Sequence, residues 1–178
     1  QKEWTEDDYF ALPETNRLVE LSKGELIMPP HPTETHQRAA LRLVLAIQSF
    51  VEAHHLGLVR FAPLPVRLWP DLIREPDILF VSHAHADRVG EKAYGPPDLA
   101  VEVTSPSTRK TDRGDKFLEY ARAGISEYWV VDPDAKTIEV YVLHEGVYTL
   151  FSKAGSGEKV RSQLLSNFEV AVDDVFAA

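Results

Sequence analysis

Two acids carry the first chemical signal. Asp77 stands at the entrance to the apolar run Ile78-Leu-Phe-Val81, and Glu102 interrupts Leu99-Ala-Val-Glu-Val103. A carboxylate at the mouth of a strand is held rigidly while still reaching solvent. One inside an apolar strand needs a partner or a cation when both sheet faces are covered. On neighbouring strands, with a backbone oxygen close by, the two form the hard-oxygen environment that Mg²⁺ or Mn²⁺ prefers. Each also has a plainer explanation alone: Glu75-Pro76-Asp77 reads as a turn, and the alternation of residues 98–104 allows a half-exposed strand with Glu102 in water. It is the pair that carries the expectation.

Lys116 falls on the next helix, with Arg113 one turn before it and Tyr120 one turn after on the same side. Its ammonium is suited to orient an attacking water or to stabilise a pentavalent phosphate. The plainer alternative is an exposed lysine paired with Asp112. Around it, Arg109, Lys110, Arg113, Lys116 and Arg122 outnumber Asp112, Asp115 and Glu119. This local excess marks a phosphate-facing patch that Arg38 and Arg42 would extend, although such runs are more often solvated helix faces. His83 and His85 near Asp87 place no third metal ligand by spacing, and the segment reads as a mobile loop. There is no GxGxxG, P-loop, GxSxG or HExxH, which removes nucleotide-cofactor, NTPase, serine-hydrolase and zincin readings.

The elements that position these residues must come from a chain of 178 residues, 44% hydrophobic and 26% charged, the size and usage of one soluble globular domain. The absence of cysteine excludes disulfides, thiolate zinc sites and a cysteine nucleophile, and permits a reducing compartment such as the cytoplasm. No apolar run approaches the roughly 18 residues needed to span a bilayer, so no membrane is expected. Gln1 as the first residue, with Met28 the lone methionine, indicates that residues before position 1 are missing. A net charge of −9 argues against coating nucleic acid by bulk electrostatics and leaves room only for a localised basic face.

Thr5, with Asp8 three residues on, predicts a capped helix to about Leu12, ended by Pro13. Arg17 to Ser22 and Glu25 to Met28 read as a hairpin around Lys23-Gly24, with Glu20 in its first strand. Pro29, Pro30 and Pro32 exclude regular structure, and Thr33 or Thr35 then caps a long helix to His54 or His55, closed by Gly57. Its Ala40, Leu43, Val44, Ile47, Phe50 and Val51 form one apolar face. Strands are expected from Leu58 to Ala62, Leu64 to Trp69, Asp77 to Val81, and through 98–104, where Ala100 and Glu102 share a face. A helix from Ser107 or Thr108 to Gly124, a strand from Glu127 to Val131, a hairpin of Thr137 to Leu143 with Val147 to Phe151, and a strand from Phe168 to Val172 complete the chain. The strand-helix-strand unit at 98–131 indicates an α/β domain, a mixed β-sheet flanked by helices, with an additional C-terminal β-hairpin. No repeat or linker divides it, and residues 1–178 are expected to form a single domain.

Arg74-Glu-Pro-Asp-Ile-Leu-Phe-Val81 followed by Pro97-Asp-Leu-Ala-Val-Glu-Val-Thr-Ser-Pro-Ser-Thr108 resembles the PD-(D/E)XK nuclease superfamily. With Asp112-x-x-x-Lys116-x-x-x-Tyr120, Gly124 and Glu127-Tyr-Trp-Val-Val-Asp-Pro133, it is similar to the restriction-endonuclease-like family abundant in cyanobacterial and Thermus-type genomes, once catalogued as a domain of unknown function. The likeness spans about residues 4–145 and includes the Val19-Glu-Leu and Gly24-Glu-Leu hairpin and His36. It implies a restriction-endonuclease-like fold, Asp77, Glu102 and the carbonyl of Val103 as metal ligands, and Glu20 as an auxiliary acid. The superfamily lysine two residues after Glu102 is here Thr104, and the resemblance moves that role to Lys116, with Lys110 the lesser substitute. The implied activity is Mg²⁺- or Mn²⁺-dependent DNA endonuclease cleavage, with Arg109, Lys110, Arg113 and Arg38 against the nucleic acid and a homodimer as the assembly. Two alternatives stay open: a catalytically inactive binding or assembly protein of the same fold, which the acidic net charge favours, and a metal-dependent hydrolase of small phosphoesters.

Overall fold

The computed structural model describes residues 2–178. Helix α1 (Glu6–Phe10) starts where Thr5 and Asp8 cap each other's backbone N–H groups. Strands β1 (Glu20–Ser22) and β2 (Glu25–Ile27) meet at Lys23 and Gly24, both left-handed at φ 53° and 72°, the two-residue turn that matches strand twist. The long helix α2 (Glu34–Ala53), capped by Thr33, buries Ala39, Leu43, Ile47 and Val51. Each of the three larger side chains contributes about 1.5–3 kcal/mol by leaving water.

The chain continues through β3 (Gly57–Phe61), β4 (Val66–Trp69), β5 (Leu72–Arg74) and β6 (Ile78–Ser82), then a 3₁₀ helix (His83–Arg88) and β7 (Leu99–Val103). Helices α3 (Arg109–Asp112) and α4 (Asp115–Arg122) lead into β8 (Glu127–Asp132). The hairpin of β9 (Thr137–His144) and β10 (Val147–Ala154) follows, then β11 (Lys159–Arg161), β12 (Glu169–Ala171) and α5 (Val172–Phe176). The main sheet has six strands in the order β10-β9-β8-β7-β6-β3, and only its β7–β8 pair is parallel, so the sheet is mixed. A second sheet, β2-β1-β5-β4, joins the N-terminal hairpin to the β4–β5 ribbon, and β11 pairs with β12.

Both faces of the main sheet are covered. Leu99, Val101 and Val103 pack with the buried side of α2, while Ala100 packs with Tyr120, Ala121, Val66, Leu68 and Leu72 from α4 and the smaller sheet. β7 is therefore buried along its whole length, which removes the water-exposed explanation of Glu102. The sequence predicted one helix to Gly124. The chain instead breaks at Gly114, where a β-carbon would come within 2.7 Å of the Lys110 carbonyl oxygen, and two helices result. The two strands expected on either side of Pro63 enter different sheets, and β5 and α5 were not anticipated. The predicted 137–151 hairpin is longer and supplies the two outermost strands at one edge of the main sheet. Among the described residues no helix is long and apolar enough to cross a membrane.

Candidate active site

Strand pairing brings the two acids together. Ile78 of β6 lies opposite Val101 of β7, and one more step of that register sets Asp77 opposite Glu102, on the same face. Asp77 Oδ2 accepts from Val103 N at 2.7 Å, which ties the carboxylate to the end of β7. Glu102, 4% exposed, accepts through Oε1 from Lys116 Nζ at 2.9 Å and from the Tyr120 hydroxyl at 2.6 Å. Those donors are one turn apart on α4, so the helix presents both to the strand that precedes it in the chain.

Glu20 reaches the same place from the N-terminal hairpin, with Oε1 3.0 Å from Lys116 Nζ. Behind it, Arg74 of β5 donates to Glu20 at 2.9 Å and makes two bonds to Glu119, at 2.7 and 3.0 Å. Arg74 is 1% exposed; in the sequence it heads the Arg74–Val81 stretch without any role of its own. Asp112 stands on the other side of the ammonium, Oδ1 to Nζ 3.7 Å, and His36 Nε2 lies 3.3 Å from Asp77 Oδ2. Arg74, His36, Asp112 and Tyr120 had no site role in the sequence-based expectation. The four-residue spacing of Asp112, Lys116 and Tyr120 was the available signal for two of them.

Charge and burial set the protonation states. Burial pushes the Glu102 carboxyl well above its ordinary value, against the pull of Lys116. For Glu20 burial acts in the same sense, but Lys116 and Arg74 overcome it and hold the carboxyl low. Burial alone would discharge Lys116; Glu102, Glu20 and Asp112 reverse that and raise it. The group is consequently a fixed ammonium, a donor and a positive charge rather than a base. Burial raises Asp112 to about 6, while His36 is raised against its own burial, chiefly by Asp77.

Glu75 gives a pH prediction. Burial pushes its carboxyl from 4.5 up to about 7, the Val19 N–H opposing and Glu20 assisting. The unfolded chain thus loses this proton first as pH rises. The group subtracts nothing below about pH 4.5 and up to about 3 kcal/mol above pH 7. Glu75→Gln, which keeps an acceptor for Val19 N, should flatten that part of the stability profile in urea unfolding between pH 4.5 and 8. An unaltered slope would refute the assignment.

The donor set suits a hard divalent ion. Asp77 and Glu102 offer carboxylate oxygens, and Asp112 adds a buried carboxylate neither of whose oxygens has a hydrogen-bond partner among the described residues. Among the described residues no three His, Cys, Asp or Glu side chains already converge on a single metal position. The basic residues are mostly engaged elsewhere. Arg109 pairs with Asp132 and Asp134, at 3.2 and 2.8 Å, and Arg38 with Glu34 at 3.3 Å. Arg113 turns away from Lys116 to Glu139 at 2.6 Å, because the break at Gly114 takes it off the face that Tyr120 shares. Lys110 is exposed and forms no ion pair among the described residues. The connection expected as a loop from His83 to Pro97 begins with a 3₁₀ helix, in which His85 meets Asp98 at 2.6 Å rather than Asp87.

A family profile described as "Putative restriction endonuclease", Uma2, matches residues 6–173. The chain belongs to the Uma2 family. Among solved structures, a protein of Anabaena variabilis described as a putative nuclease belonging to DUF820 is 25% identical, with a TM-score of 0.80 and 97% of each chain covered. No curated protein matches the chain. The Uma2 match contains every residue of the site, from Glu20 to Tyr120. The mixed α/β fold expected from the sequence is the fold of that neighbour.

Proposed function

We propose that the protein is a divalent-cation-dependent endonuclease that hydrolyses phosphodiester bonds in DNA, and that residues 1–178 act as one domain. The observation that carries the reading is the cross-strand pair Asp77 and Glu102 with the charged Lys116 bonded to the second of them. Asp77, Glu102 and the carbonyl oxygen of Val103 would hold Mg²⁺ or Mn²⁺. When bound, such an ion lowers the pKa of a coordinated water and neutralises phosphate charge.

The remaining work falls to the chain's own groups. Lys116, held as an ammonium, orients the water and offsets the charge that develops on the phosphate. Glu20 positions that ammonium from one side and is itself fixed by Arg74 from the other. Lys110, exposed and outside any ion pair among the described residues, is the freest of the predicted phosphate contacts; Arg109, Arg113 and Arg38 would have to exchange a carboxylate for a phosphate. Cutting both strands calls for two active sites, and a symmetric homodimer supplies them.

Supercoiled plasmid with Mn²⁺ or Mg²⁺ should be nicked and linearised, and chelation should stop the reaction. Lys116→Met is expected to lower turnover about 10²–10³-fold while Mn²⁺ binding persists, as calorimetry would show; equal loss of metal would refute this division of roles. The engagement of Arg109, Arg113 and Arg38 by acids, with a net charge of −9, favours a second reading as a non-catalytic binding protein. Salt-dependent DNA retention without cleavage is its signature. Turnover of a chromogenic phosphodiester without plasmid cleavage would instead assign the site to small phosphoesters.

A further inference from the structure

Asp112 is 1% exposed; among the described residues neither of its carboxylate oxygens has a partner at hydrogen-bond distance, and the neighbouring Thr108 hydroxyl only partly offsets the effect of burial. A buried charge in that state is costly unless something supplies donors or positive charge. Among the described residues it pairs with Lys116, at 3.7 Å, too long for a hydrogen bond and already bonded to Glu102, and it lies within the electrostatic reach of His36. The local balance is short of positive charge. Glu20, Asp77, Glu102 and Asp112 face the buried cations Lys116 and Arg74, with His36 beside Asp77, and Arg74 also neutralises Glu119.

We infer that Asp112 is an outer ligand of the site's divalent cation, accepting hydrogen bonds from the waters such an ion retains. Small hard cations keep several waters, and those waters are the strong donors that both Asp112 oxygens lack. The helical segment after β7 thus contributes to the site twice, through Lys116 as the fixed charge and Asp112 as the acceptor. This inference rests on the proposed cation-dependent reading and adds a residue to it.

The test is Mn²⁺ calorimetry on the full chain at neutral pH, with folding checked by thermal melting in chelator. Asp112→Asn keeps the shape and removes the charge; it should melt as a single cooperative transition and bind Mn²⁺ about 10–100-fold more weakly than wild type. Asp115→Asn, the exposed neighbour paired with Lys23, should bind as wild type does. Binding within twofold of wild type in Asp112→Asn, while Asp77→Asn abolishes it, overturns the role of Asp112 and leaves the nuclease reading standing. No Mn²⁺ binding by the wild type overturns both.

Discussion

Asp77→Asn and Glu102→Gln are each expected to lose saturable Mn²⁺ binding and to cut DNA at least about 10³-fold more slowly. Both replacements keep the volume and the acceptor oxygen, so what they remove is charge. In Glu102→Gln the side-chain carbonyl can still accept from Lys116 and Tyr120, and the β7–α4 contact survives. Stability should not fall with activity. Burial holds the Glu102 carboxyl well above its ordinary value, so the ionised group costs the fold stability at neutral pH, and a neutral amide relieves that cost. Unchanged or higher resistance to urea in chelator, together with lost metal binding and lost cleavage, is the expected pattern. Wild-type cleavage by either variant would refute the acidic pair as the centre of the reaction.

Arg74→Met should have the largest effect on stability, about 3–5 kcal/mol. Arg74 is fully enclosed and is bonded to Glu20, Glu119 and Ser22 at once. Removing it leaves Glu20, 1% exposed, to share the Lys116 ammonium with Glu102 and Asp112. A buried carboxylate without its partner is the costly half of a broken ion pair, whereas removing both halves is far cheaper. The double variant Glu20→Gln/Arg74→Met should therefore recover part of the loss. Urea unfolding of the two single variants and the double gives the coupling directly; a loss below about 1 kcal/mol for Arg74→Met would mean that the network behaves as a surface pair does.

The effect would also reach the site. β5 and β1 are adjacent antiparallel strands of the smaller sheet; the Glu20–Lys116 and Arg74–Glu119 pairs couple that sheet to α4, and the Arg74–Glu20 bond holds Glu20 in place for the first of them.

Local period made much of this legible in the sequence. Alternation through 98–104 put Glu102 on the face of Ala100, helical spacing aligned Lys116 with Tyr120, though not with Arg113, and the Lys23-Gly24 turn fixed the hairpin that bears Glu20. Those features depend on backbone geometry repeating every 2 or 3.6 residues, which a sequence displays directly. Asp77 and Glu102 were recognisable as a pair for the same reason, since each marks a strand boundary or interrupts a strand. Only the tertiary structure decided what the charges meet. Arg109 and Arg113 read as a phosphate-facing patch, but they meet Asp132, Asp134 and Glu139, acids brought to them by β8, β9 and the turn between those strands. Arg74 stood in the sequence only as the first residue of the Arg74–Val81 stretch, with no partner legible, and it is β1 and α4 that close around it. The partner of a charge is set by which distant strands pair and where a helix breaks, as at Gly114, and local periodicity carries no record of either.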